Sequence, residues 1–158
     1  MTTEQSLRAD WIAIGVGAVA LALILGALGF QYLGGMPPCH MCHWQRWPHI
    51  AAAIIGLVGG GFLPRRYAGP IAIAAIILVA ASGLIGAYQT GMQWGLLTGP
   101  TACTSARYVL GSNVIPELSC DVLVPVFLGQ GLAFWNALVS LGVAGIAGFL
   151  LLRTGRNA

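Results

Sequence analysis

Three long, uncharged, apolar runs limit what this chain can fold into more than any other feature. Trp11–Leu33, Ala68–Tyr88 and Gly131–Leu152 each exceed the ~18 to 20 residues needed to cross a hydrocarbon core. A fourth run, Ile50–Leu63, is shorter and reaches spanning length when Trp44 to His49 form its interfacial end. Composition agrees: 58% of the residues are apolar and 7% are charged, too little polar surface to cover a water-soluble domain. The expected fold is an all-α membrane protein, a four-transmembrane-helix bundle with two periplasmic loops. It forms a single integral membrane domain over residues 1–158, with helices at about 11–33, 44–63, 68–88 and 131–152. The first run is longer than the ~7 to 15 residue apolar core of a signal peptide and is expected to remain as an anchor. Gly56 and Gly60, at four-residue spacing, and Gly142, Gly145 and Gly148 read as generic small-residue packing between helices.

All seven basic residues are arginines, and the net charge is +3. Arg8, Arg65, Arg66, Arg153 and Arg156 fall on one side of a four-span topology, which the excess of basic residues in cytoplasmic loops marks as the cytoplasm. Both termini are therefore expected there. The charge so distributed reports orientation toward the lipid bilayer, and no nucleic-acid partner is expected. Arg46 and Arg107 lie on the opposite, periplasmic side with all four cysteines, where disulfides persist. The first loop, about 34–43, contains Pro37 and Pro38, which stop the preceding helix. The second, about 89–130, is long, with Gly99-Pro100, Pro116 and Pro125 as breakers. Its segment Val122–Leu128 is an apolar patch expected on the membrane surface. Structureless loops of this length are usually functional or disordered.

The cysteines form two groups, Cys39 with Cys42 and Cys103 with Cys120. Four cysteines permit three connectivities, and spacing favours pairing within each loop. Exchange chemistry needs a thiolate, which a helix N-terminus or a nearby cation stabilises. Cys42 has both if helix 2 begins near His43, because Arg46 is then one turn further on the same face. Two plainer readings stand beside this one: Arg46 snorkels to the interface, and the disulfides are structural. His43, Trp44, Trp47 and His49 read as interface residues whose aromatic belt would line a flat apolar slot suited to a quinone ring. Cys39-His40-Met41-Cys42-His43 also satisfies the Cys-x-x-Cys-His signature of c-type haem attachment. That alternative, a membrane-bound haem or metal-binding electron-transfer subunit, suits so short a loop poorly and leaves Cys103 and Cys120 without a role. A zinc or copper site is chemically permitted by the same side chains, but no metal is assigned.

Particular segments resemble a known family. They are Pro38-Cys39-x-x-Cys42 followed by Gln45-Arg46; Tyr88 to Trp94 leading to Gly99-Pro100-Thr101-Ala102-Cys103-Thr104; and Cys120-Asp121 leading to Phe127-Leu128-Gly129 and Trp135-Asn136. With four spans around them, these are similar to the bacterial disulfide-bond formation protein B family, DsbB, over Pro38 to Ser140. The resemblance implies a protein thiol:quinone oxidoreductase of the bacterial inner membrane. It implies four catalytic cysteines: a periplasmic DsbA-like thioredoxin-fold partner attacks Cys103–Cys120 and is held at Cys103. Cys120 then attacks Cys39–Cys42, and the released Cys42 thiolate passes electrons to ubiquinone, with menaquinone as the alternative, from the membrane quinone pool. The motif places Gln45 and Arg46 at the quinone, the aromatic belt adds His43, Trp47 and His49, and Gln89 completes the expected set. A quinone is needed because the partner is itself an oxidant near roughly −120 mV, which ordinary thiols could not recharge. Many family members carry a histidine where this chain has Gln89. An amide can hydrogen-bond a carbonyl but cannot supply a titrating proton, which leaves His43, His49 or water for that task.

Overall fold

The computed structural model describes residues 3–100, 103 and 119–156; Arg107, Pro116, Thr101, Ala102 and Thr104 lie outside them. Four long helices follow one another: α1 (Thr3–Tyr32), α2 (His40–Ile54), α3 (Ala68–Gln93) and α4 (Leu132–Arg156). A π-helical turn, Ile55–Gly59, and a last α-helical turn, Gly60–Phe62, prolong α2, and a 3-10 turn, Arg65–Tyr67, leads into α3. Among the described residues there is no β-strand beyond an isolated bridge between Phe127 and Gln130.

The helix ends differ from the expected ones for local reasons. α1 begins at Thr3 rather than near Trp11; Gln5, Ser6 and Ala9 of its first turns are buried, and an exposed Glu4–Arg8 ion pair at 3.1 Å with i,i+4 spacing lies on the other face. α2 begins at His40 rather than near Trp44 because Cys39 acts as its N-cap, its Sγ accepting from the Cys42 amide at 3.1 Å. Sulfur is a weak acceptor, and cysteine is not among the usual capping residues. α3 runs past Tyr88 to Gln93. Trp94 is the C-cap and Gly95 follows at φ +72°, with the Trp94 and Leu96 amides closing onto Thr90 and Gly91 carbonyls, a left-handed C-terminal stop of the kind glycine favours.

Cross-helix contacts fix an up-down-up-down order. Gln5 at the start of α1 donates to the Thr154 carbonyl at the end of α4 (3.2 Å). Gln45 at the start of α2 donates to Gln89 near the end of α3 (2.6 Å). The four cysteines thus share one end of the bundle, and Arg8, Arg65, Arg66 and Arg153 the other. Small residues bring the backbones together: a Cβ on Gly56 would lie 2.5 Å from the Ala13 carbonyl and 2.8 Å from the Gly17 Cα. Gly56 lies in the π turn, so α1 and α2 touch backbone to backbone there. Gly86 serves α3 in the same way, since its Cβ would be 3.0 Å from the Ala133 carbonyl of α4. Gly142 and Gly145, by contrast, have open space around them.

The core is built from Val16, Ala20, Ala52, Ala53, Ala75, Val79 and Ala147, whereas Leu25, Ile54, Ile77, Leu84, Ile146 and Phe149 point outward and are exposed. Small side chains inside and large apolar ones outside is the arrangement of helices packed in lipid. Thr3–Tyr32, Arg65–Gln93 and Leu132–Thr154 are each long and apolar enough to cross a membrane, and the chain is a multi-pass membrane protein. α2 is not among them; it carries His40, His43, Arg46, Pro48 and His49.

Candidate redox-active site

The four cysteines meet at the end of the bundle where α2 begins. Cys39 and Cys42 form a disulfide with their Cα atoms 5.0 Å apart, while Cys103 and Cys120 are buried free thiols. Cys39, Met41, Met92, Cys103 and Cys120 pack as one cluster, with Cys42 and Ile85 against it. The backbone ties the two loop cysteines together, the Cys120 amide donating to the Cys103 carbonyl at 3.0 Å. Ser119 Oγ reaches the same carbonyl at 2.8 Å and also bonds the Asp121 carboxylate. The Cys103 thiol is pushed up to about 12 by burial first, then by its hydrogen bond to Cys120 and the repulsion of a Cys120 thiolate; the Met41 backbone opposes this. At neutral pH Cys103 therefore holds its proton.

A chain of side-chain hydrogen bonds leads from the disulfide into the middle of the bundle. Gln89 Nε2 donates to Cys39 Sγ at 3.2 Å and to the Cys120 carbonyl at 3.5 Å, and lies 3.9 Å from Cys42 Sγ. Because a carbonyl only accepts, the Cys120 contact decides which way the Gln89 amide faces. Its Oε1 must then accept from Gln45 Nε2 (2.6 Å), and Gln45 Oε1 from Asn136 Nδ2 (2.7 Å). Asn136 Oδ1 accepts from Ser140 Oγ (3.0 Å), which also meets His49 Nε2 (3.2 Å). Ser82 Oγ and His49 Nδ1 both reach the Gln45 carbonyl at 2.9 Å. Helices α2, α3 and α4 are thus joined by partnered polar groups, which a lipid-facing interior requires.

Beside the disulfide lies a cavity of about 380 Å³ among α1, α2, α4 and the end of α3, walled by residues that include Ala27, Phe30, Cys42, Arg46, Val124 and Trp135. Among the described residues, three buried polar atoms on its lining lack hydrogen-bond partners: Arg46 Nε, Gln31 Oε1 and Gln93 Oε1. Of the residues singled out in the sequence, Cys39, Cys42, Gln45, Arg46, His49 and Gln89 come together on this lining, and Cys103 and Cys120 join through the sulfur cluster. His43 and Trp47 are exposed and do not line it. The expected aromatic slot is therefore not built from them, and the aromatic lining comes from Phe30 and Trp135. His49, read as an interface residue, is 3% exposed with both ring nitrogens engaged. In the Val122–Leu128 segment, Val122, Val124 and Val126 line the cavity, while Phe127, packed on Trp135 at 5.4 Å, and Leu128 are exposed. Among the described residues no three His, Cys, Asp or Glu side chains converge as a metal-binding group.

Sequence reading missed Gln31, Ser82, Gln93 and Ser140, and noted Asn136 only within a motif. The available signal was polarity: Ser82, Asn136 and Ser140 interrupt apolar spans, where polar groups are expensive and mark functional interiors.

Comparison with known proteins agrees with this geometry. The family model described as "Disulfide bond formation protein DsbB" matches residues 9–150. The chain is 30% identical over 149 residues to Disulfide bond formation protein B of Azoarcus sp. (strain BH72), covering 88% of this chain and 89% of that one. It is 30% identical over 155 residues to the protein of that name from Aromatoleum aromaticum, covering 91% and 92% respectively. With the protein of that name from Alkalilimnicola ehrlichii, identity is 32% over 133 residues, covering 65% and 82%. No solved structure matches. Two cysteine pairs gathered at one end of a helical membrane bundle, and a family match over nearly all of its length, lead to one conclusion: the chain belongs to the DsbB family of disulfide bond formation proteins.

Proposed function

We propose that this protein is a disulfide-generating thiol:quinone oxidoreductase that reoxidises a periplasmic DsbA-like thioredoxin-fold protein. The observation that carries the reading is the packing of a closed disulfide, Cys39–Cys42, and an open dithiol, Cys103 with Cys120, in one sulfur cluster at the edge of an apolar cavity. The partner's dithiol reduces the Cys103–Cys120 disulfide and leaves with a disulfide of its own. The Cys103/Cys120 dithiol then passes two electrons and two protons to Cys39–Cys42 and closes again, by the attack of Cys120 on Cys39 that the family resemblance implies. Each exchange makes one S–S bond and breaks another, so the number of disulfides is conserved until the final acceptor.

That acceptor is a quinone, and the lining suits it. Apolar walls accommodate a ring, and the Arg46 Nε–H, buried without a partner, supplies a donor for a quinone carbonyl. Gln45 and Gln89 are committed to the sulfur side and act by fixing the disulfide's surroundings. The dithiol of Cys39 and Cys42 would close by giving two electrons and two protons to a quinone held there. Ubiquinone is the proposed acceptor, with menaquinone as the alternative. The proposed setting is the bacterial inner membrane, with residues 1–158 as one integral domain, α2 as the fourth crossing, both termini cytoplasmic and both cysteine loops periplasmic. The arginines at the opposite end from the cysteines support that orientation.

The test is anaerobic oxidation of a reduced DsbA-like protein by the purified chain with short-chain ubiquinone. Turnover is expected, with loss in Cys42→Ser and in Cys103→Ser; full activity in both variants would end the proposal.

A further inference from the structure

The three unpartnered atoms on the cavity lining are not chemically equivalent. Arg46 Nε carries a hydrogen and can only donate, whereas Gln31 Oε1 and Gln93 Oε1 are amide oxygens and can only accept. A quinone presents only acceptors, and its quinol presents hydroxyl donors. The two glutamine oxygens therefore have no pairing to offer the oxidised form.

For Gln93 the orientation is set by its surroundings. Its Nε2 donates to the Val122 carbonyl at 3.4 Å, and since that carbonyl only accepts, the oxygen is the atom left unpartnered. Gly131 keeps space beside it, because a Cβ there would come within 3.2 Å of Oε1. Gln31 brings its oxygen to the same cavity from the last turn of α1. An unpaired buried acceptor is unfavourable, so each gains a missing bond when a hydroxyl arrives.

We infer that Gln93 and Gln31 determine specificity for the oxidation state, accepting hydrogen bonds from the hydroxyls of the reduced quinol while Arg46 serves the oxidised carbonyl. This rests on the quinone reading above and adds to it: the site favours the product of the two-electron reduction. Both glutamines lie outside the string that ends at the disulfide, so their effect is on the bound molecule and not on the sulfurs.

The experiment is calorimetric titration of the full-length, fully oxidised protein in detergent, which has no thiol to donate electrons. It uses ubiquinone with one isoprene unit and, separately, its chemically reduced quinol under anaerobic conditions. Gln93→Met is expected to weaken quinol binding by about 10-fold, the loss of one hydrogen bond to a buried acceptor, and to leave quinone binding within about twofold. Retained quinone binding shows that the variant is folded. Gln31→Met should show the same asymmetry, and decides the matter if Gln93→Met loses both ligands. Equal loss of the two forms in Gln31→Met, or no change in either variant, would overturn the inference while leaving the quinone reading intact. Wild-type protein that binds neither form would overturn both.

Discussion

Replacing Gln89 by leucine tests the link between the polar interior and the disulfide. Gln89 Nε2 is 3.2 Å from Cys39 Sγ, and the Cys42 amide is 3.1 Å from the same atom, so Cys39 sulfur receives two N–H donors. A donor favours the thiolate over the neutral disulfide sulfur, and therefore favours the reduced pair. A hydrogen bond to a charged group contributes roughly 1.5 to 3 kcal/mol. With about 1.4 kcal/mol for each 30 mV of a two-electron couple, Gln89→Leu should make the Cys39–Cys42 potential more negative by about 30 to 60 mV. It also leaves Gln45 Nε2 without its acceptor, destabilising the fold by about 1 to 3 kcal/mol. The assay is equilibration in glutathione buffers followed by thiol trapping, with Cys103 and Cys120 replaced by serine so that only one couple is read. Gln89→His, which restores a ring N–H, should recover most of the shift. A potential unmoved by more than about 10 mV in a folded Gln89→Leu protein would refute the claim that this amide acts on the sulfur.

Three further outcomes follow from the geometry. Gly56→Ala should destabilise the bundle by about 2 to 3 kcal/mol in detergent–SDS unfolding followed by circular dichroism, because its Cβ meets only α1 backbone. Gly142→Ala, with nothing nearby, should be neutral or stabilise by up to about 1 kcal/mol, and equal effects at the two sites would contradict the crossing described. Asn136→Leu strands Gln45 Oε1 without a donor and should cost about 1 to 3 kcal/mol, with a smaller potential shift than Gln89→Leu, since Gln89 keeps its own bond to sulfur; a larger shift would show that the string is misassigned. Alkylation of Cys103 in protein with Cys39–Cys42 oxidised should rise steadily with pH and not level off below about 11, given a thiol pushed up to about 12. The folded chain keeps that proton where an unfolded one releases it near 9.0, so stability is full below about 9 and falls as pH climbs toward 12. A plateau near pH 9 would show the thiol to be ordinary.

The bundle and its sulfur pairs were legible in the sequence because both are local signals: apolar run length and cysteine spacing. Helix ends were less so. The start of α2 rests on a sulfur cap that no capping preference announces, and the extension of α3 to Gln93 depends on where a glycine first turns left-handed. The polar string was illegible because Gln45, Gln89 and Asn136 are brought together from three helices far apart in the chain, and nothing in a single sequence pairs them. Likewise Trp47 and His49 lie two residues apart in one aromatic stretch, yet one faces outward and the other is sealed inside. At that position the packing of α4, through Ser140, decides, and not residue type.

Amides neither take up nor release protons in the physiological range, and both nitrogens of His49 are already engaged. The amides of Gln89, Gln45 and Asn136 therefore fix dipoles beside the disulfide without themselves titrating. In the proposed cycle, reducing equivalents reach Cys39 and Cys42 only past Ser119, Asp121 and the loop thiols, and leave by the separate cavity beside Arg46. Entry and exit are thus two doorways, and closing either one would halt the cycle.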